Sequence, residues 1–116
     1  MLTIRKKQMA AFQQTMEVRF EDWMIRHLKA KYPKKAVELD NDSMRKVIHR
    51  GIGRAESHGI TDEQHLVTYL ELVFELGMDF EELPEMSWAR QIFDNPTIPG
   101  KDKIPLIQQI RHVEDS

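Results

Sequence analysis

The chain has 116 residues, a net charge of −2 and no cysteine; 41% of its residues are hydrophobic and 31% charged. That length and balance suit one core, so the sequence reads as a single helical domain over 1–116 and not as a disordered segment. The missing cysteine excludes disulfides, thiolate zinc sites and a cysteine nucleophile, and suits a reducing cytoplasm.

The opening MLTIRKKQMAAF has three basic residues with no apolar stretch behind them. No run approaches the roughly 20 apolar residues of a membrane span. A cytoplasmic chain without a signal peptide or membrane contact is expected. Thr3 is placed to cap a first helix from about Ile4 to Tyr32. Met9, Phe12, Met16, Phe20, Trp23, Met24, His27 and Leu28 recur along it at three- and four-residue steps. Pro33 ends it, and a short turn or helix follows around Lys35–Leu39.

Asn41, Asp42 and Ser43 are capping residues for a second helix running to about His58. Its stripe is Met44, Val47, Ile48, Gly51, Ile52 and Ala55, and Gly59 is its left-handed stop. Gly51 and Gly53 each cost a helix about 1 kcal/mol against alanine, which points to a neighbour crossing close by. Thr61-Asp62-Glu63-Gln64 reads as a capping box with Thr61 as the cap. The helix it starts ends near Leu76, before Gly77. Leu66, Val67, Tyr69, Leu70, Leu72, Val73, Phe74 and Leu76 face nearly every direction, so this helix is central or part of an interface. An acidic connection, Met78–Met86, leads to a short helix Trp88–Phe93 capped by Ser87. Turns at Asn95-Pro96 and Pro99-Gly100 precede a last helix, Lys101–Val113, with Ile104, Leu106, Ile107, Ile110 and Val113 on or near one face and Pro105 near its first turn. The final EDS reads as frayed. The expected fold is all-α: a compact bundle of about four main helices plus one or two short ones.

Charge is unevenly distributed. Residues 1–35 hold nine Lys/Arg against three Asp/Glu, and residues 36–100 hold five against thirteen. The basic third reads as a solvated face beside an acidic body, since nucleic-acid binders cluster basic side chains with stacking aromatics in a basic domain.

No pattern asks for catalysis, and neither a cofactor nor a metal is expected. The histidines, His27, His49, His58, His65 and His112, form no HExxH pair. His58 and His65 flank the Gly59 turn and, with Glu56 or Asp62, are the nearest approach to a metal site, but they read as surface residues. Gly51-Ile52-Gly53 lacks the strand, third glycine and lysine of a phosphate loop. The carboxylates of 79–85 read as solvated. Trp23 and Trp88 read as core fillers, and Trp88-Ala89-Arg90 after the acidic loop also as a contact point. Seven methionines suit an adaptable binding surface as well as a core.

Four stretches resemble a known group: Met1-Leu2-Thr3-Ile4-Arg5-Lys6-Lys7-Gln8-Met9, Arg19-Phe20-Glu21, Arg50-Gly51-Ile52-Gly53-Arg54-Ala55 and Gly59-Ile60-Thr61. The group is the small helical bacterial proteins encoded beside spike-tip (PAAR-repeat) and effector genes of type VI secretion systems. The likeness spans about half the chain. It departs at His58, where the group often has an aromatic residue. After Phe80 it is loose, around Leu83-Pro84 and Trp88-Ala89. None of these motifs is catalytic. The resemblance implies an accessory protein, a co-chaperone or adaptor, whose partner is a secreted effector or a larger adaptor chaperone. The partner-binding residues expected from the basic first helix and the acidic loop are Arg5, Lys6, Lys7, Glu81, Glu82, Trp88 and Arg90. Self-association is left open. The alternatives are an immunity protein that neutralises a cognate toxin and a nucleic-acid-binding regulator.

Overall fold

A computed structural model describes residues 19–115. Every regular element among them is helical, with no strand. The first helix, α1, is described over residues 19–31. It is followed by α2 (Pro33–Val37), α3 (Asn41–Ser57), α4 (Glu63–Leu76), α5 (Ser87–Phe93) and α6 (Gly100–Asp115), with 3-10 turns at Phe80–Glu82 and Pro84–Met86. No described helix is long and apolar enough to cross a membrane. The chain divides into two compact units, with the boundary inside α3 between Arg45 and Lys46.

In the first unit, α1 ends at Tyr32, which leaves helical geometry before Pro33 opens α2. This is the stop expected of proline, which also suits the first position of the next helix. The buried stripe of α1 is Glu21, Met24, Ile25 and Leu28. It is rotated from the expected one. Trp23, expected in the core, is 43% exposed and stacks on His27 (ring centroids 4.9 Å apart) and more loosely on Phe20 (6.3 Å). Glu21 takes the inward position because Arg45 lies 3.8 Å away and also pairs with Asp22. Thr3, Met9, Phe12 and Met16 lie outside the described residues.

The cap of α3 is Asp40, one residue before the expected cluster. Its carboxylate accepts the Ser43 N–H at 2.7 Å. Ser43 therefore sits in the first turn instead of capping it.

The second unit is built around α4. Tyr69, Leu70, Leu72, Val73 and Phe74 are all buried. Tyr69, Leu72 and Val73 join Ala55, Ile60, Phe80, Phe93, Ile104 and Ile107 in one core cluster. Five of the eight apolar residues of α4 are thus buried within the chain, and Leu66, Val67 and Leu76 are half-buried. The α3 end is a Schellman motif: Gly59 N–H bonds Glu56 C=O (2.9 Å), Ile60 N–H bonds Ala55 C=O (3.0 Å), and Gly59 has φ +79°. Ile60 and Ala55, the pair this motif brings together, are both buried. Gly77 closes α4 at φ +108°, a conformation that favours glycine.

Two expected caps are corrected here. Asp62, not Thr61, precedes α4, and it makes no side-chain capping bond. Ser87 is the first residue of α5, not its cap. The Pro84–Met86 turn feeds straight into the helix, its Met86 N–H already bonded to Leu83 C=O at 2.9 Å. α6 begins at Gly100, so Pro105 stands inside the helix, and the helix continues through Asp115 where fraying was expected. Ile104 and Ile107 are buried and Leu106 is exposed; Val113 lies outside the described side chains.

The two helical glycines differ. A Cβ on Gly51 falls 2.5 Å from Leu70 Cδ2, so α4 does approach α3 closely there. A Cβ on Gly53 meets nothing within 4 Å, so no neighbour offsets its cost. Gly53→Ala is expected to stabilise the chain by about 0.5–1 kcal/mol, through helix propensity and a less flexible unfolded chain. A urea midpoint that fails to rise refutes this.

Candidate functional site

A densely connected polar group lies in the second unit, where four segments converge. His58 follows the last residue of α3. Tyr69 comes from the middle of α4, Glu81 from the first 3-10 turn, and Asp94 from the end of α5. Helix termination by Gly59 holds His58 in place. Phe80 and Met86, both buried, pin the acidic connection to the core and carry Glu81 inward with them. Glu81 is only 4% exposed.

His58 Nε2 stands 2.9 Å from Glu81 Oε1, and the Tyr69 hydroxyl donates to Glu81 Oε2. The other ring nitrogen, Nδ1, faces Asp94 Oδ1 at 3.9 Å. The imidazole lies against the Phe93 ring, centroids 5.2 Å apart and 23° between planes. Tyr69, Phe80 and Phe93 make edge-to-face contacts beneath it. Arg54, one turn earlier on α3, donates to Met78 C=O at 2.6 Å and pairs with Asp79 at 3.6 Å. The buried Lys103 Nζ donates to Phe93 C=O at 2.6 Å, capping the end of α5.

A buried carboxylate costs several kcal/mol unless it is paired and hydrogen-bonded. Burial alone pushes the Glu81 carboxyl up, but hydrogen bonds from His58 and Tyr69 and the charges of His58 and Arg54 outweigh it and hold the group below its ordinary range. Tyr69 moves the other way. Burial, then its bond to Glu81 and that carboxylate's charge, pushes the phenol far above its usual value. The pair is thus fixed as a carboxylate and a neutral phenol, with both carboxylate oxygens engaged.

The arrangement can hold His58 in one orientation, and it can offer a cation one imidazole nitrogen and two carboxylates. One ligand atom from each of His58, Glu81 and Asp94 lies within 4.8 Å of the others. The turn-flanking histidines, expected at the surface, are both half-buried. His58 turns to Glu81, while His65 Nδ1 has Asp62 at 3.9 Å and makes no hydrogen bond.

Of the residues expected to face a partner, Glu81 is buried instead, because Tyr69 and His58 draw it in. Glu82 is exposed, Trp88 is half-buried against the core cluster, and Arg90 is exposed beside Asp94 (3.4 Å). Arg5, Lys6 and Lys7 lie outside the described residues. Sequence reasoning missed Tyr69 and Glu81 as a pair. The only local signal was Phe80 next to Glu81, an apolar anchor inside an acidic run. Compared with protein families, curated proteins and solved structures, the chain finds no match in any of the three.

Proposed function

We propose that this chain is a non-enzymatic protein-binding accessory factor, acting in the cytoplasm as a co-chaperone or adaptor for a type VI secretion effector. The observation that carries the binding reading is Trp23. A lone exposed apolar residue needs no explanation. Trp23 is more than that: it is a large ring 43% exposed, stacked between Phe20 and His27 along one side of α1. Stacking limits its rotamers before any partner arrives, which lowers the entropy lost on binding. Tryptophan is also the side chain most enriched among interface anchors. The effector reading rests on the resemblance of Arg19-Phe20-Glu21, Arg50–Ala55 and the N-terminal stretch to accessory proteins of that system. Glu82 and Arg90 remain exposed candidates for the polar rim of such an interface.

The test is co-expression with the products of the flanking genes, followed by affinity measurement on the purified complex. Wild type is expected to bind the effector or its adaptor. Trp23→Ser is expected to weaken binding at least tenfold while unfolding near the wild-type midpoint, since the side chain is largely outside the core. Unchanged binding by Trp23→Ser, or no complex with either product, refutes the reading.

A further inference from the structure

We propose that His58, Glu81 and Asp94 bind a divalent first-row transition ion, fastening the end of α3 to the acidic connection and to the end of α5. This proposal does not depend on the binding role assigned to Trp23.

Ligands about 2.0–2.2 Å from such an ion stand roughly 3–3.5 Å from one another. His58 Nε2 and Glu81 Oε1, at 2.9 Å, are already close to that spacing. Asp94 is the mobile third ligand. Its carboxylate sits at the surface, 3.4 Å from Arg90 and 3.9 Å from the other ring nitrogen, Nδ1, so its side chain must swing towards Nε2 to join the ion held there. The supporting contacts are those a metal site needs. Tyr69 holds the second oxygen of Glu81, and Phe93 fixes the plane of the imidazole. Asp94, more than half exposed, marks the open side, where water completes the coordination.

Charge favours the same occupant. With a neutral imidazole the three ligands carry two negative charges, one of them buried, and a dication balances both. An imidazole nitrogen among the ligands selects a zinc-like ion over magnesium or calcium, which take oxygen ligands.

The experiment is thermal unfolding of the full chain after EDTA treatment, with zinc or magnesium added in excess. Zinc is expected to raise the midpoint by about 5 °C or more, reversibly with EDTA, and magnesium to leave it unchanged. Calorimetric titration is expected to give one zinc per chain. Asp94→Asn is expected to unfold near the metal-free wild-type midpoint and to lose the zinc shift. His65→Gln, which alters the other histidine–carboxylate pair, is expected to keep it. No shift in wild type, a shift retained by Asp94→Asn, or a shift lost in His65→Gln overturns the proposal.

Discussion

Gly100→Ala is expected to destabilise the chain by about 3 kcal/mol or more, the upper end of what overpacking costs. A Cβ built on Gly100 falls 1.7 Å from the carbonyl oxygen of Gly59, 2.3 Å from its carbonyl carbon and 3.0 Å from its Cα. All three are backbone atoms, so no rotamer change relieves the clash. Gly59 has little room to give, because it holds φ +79° and its amide and that of Ile60 are both bonded back to α3. The start of α6 must move instead. That helix places Ile104 and Ile107 in the core and Lys103 against the end of α5, so a displacement opens contacts at several points. For a domain of this size the midpoint should fall by about 10 °C or more. Chemical denaturation of Gly100→Ala beside Gly53→Ala is the informative comparison. The same substitution, at two glycines near helix ends, is expected to act with opposite signs. A loss under about 1 kcal/mol at Gly100 refutes the close-approach argument.

The contrast between these glycines also marks what the sequence made legible. The left-handed stop at Gly59 and the end of α4 at Gly77 follow from local pattern, because helix termination is decided within a few residues. The stripe of α3 and the central place of α4 follow from periodicity. Trp23 does not. Apolar spacing puts a tryptophan inward and Glu21 outward, whereas Arg45, 24 residues away in the chain, pairs with Glu21 and lets the stripe rotate. Ser43 and Ser87 misled for a related reason. A capping side chain is needed only where the backbone leaves an amide unserved, and at α3 and α5 a neighbouring Asp40 or a preceding 3-10 turn serves it first. The site was the least legible part. His58, Tyr69, Glu81 and Asp94 are contributed by four separate segments, and each looks ordinary beside its own neighbours. Composition reads 79–85 as solvated carboxylates, and only the buried Phe80 and Met86 turn one of them inward.

Glu81→Ala is the second large effect, expected to cost about 2–3 kcal/mol, the upper range for leaving buried hydrogen-bonding groups without their partner. The substitution leaves the buried Tyr69 hydroxyl without its acceptor and strips His58 of its closest carboxylate. Glu81→Gln keeps the shape and is expected to cost less, which separates charge from packing. The same network sets the pH dependence, best measured in EDTA. Glu81 is held below its ordinary range in the folded chain. Its contribution is therefore complete above the unfolded carboxyl value of about 4.3 and declines as pH falls through the folded value. Tyr69 is held above its ordinary range, so the fold favours the neutral phenol. Its contribution is complete below the unfolded value of about 10 and declines as pH rises past it. Stability from this pair is thus flat between about pH 5 and 9 and falls on both sides. Tyr69→Phe should flatten the alkaline limb and Glu81→Gln the acid one, each relative to wild type. Wild-type limbs that survive both substitutions, or a Glu81→Ala chain within about 1 kcal/mol of wild type, show that other groups hold the end of α3 against α4 and the acidic connection.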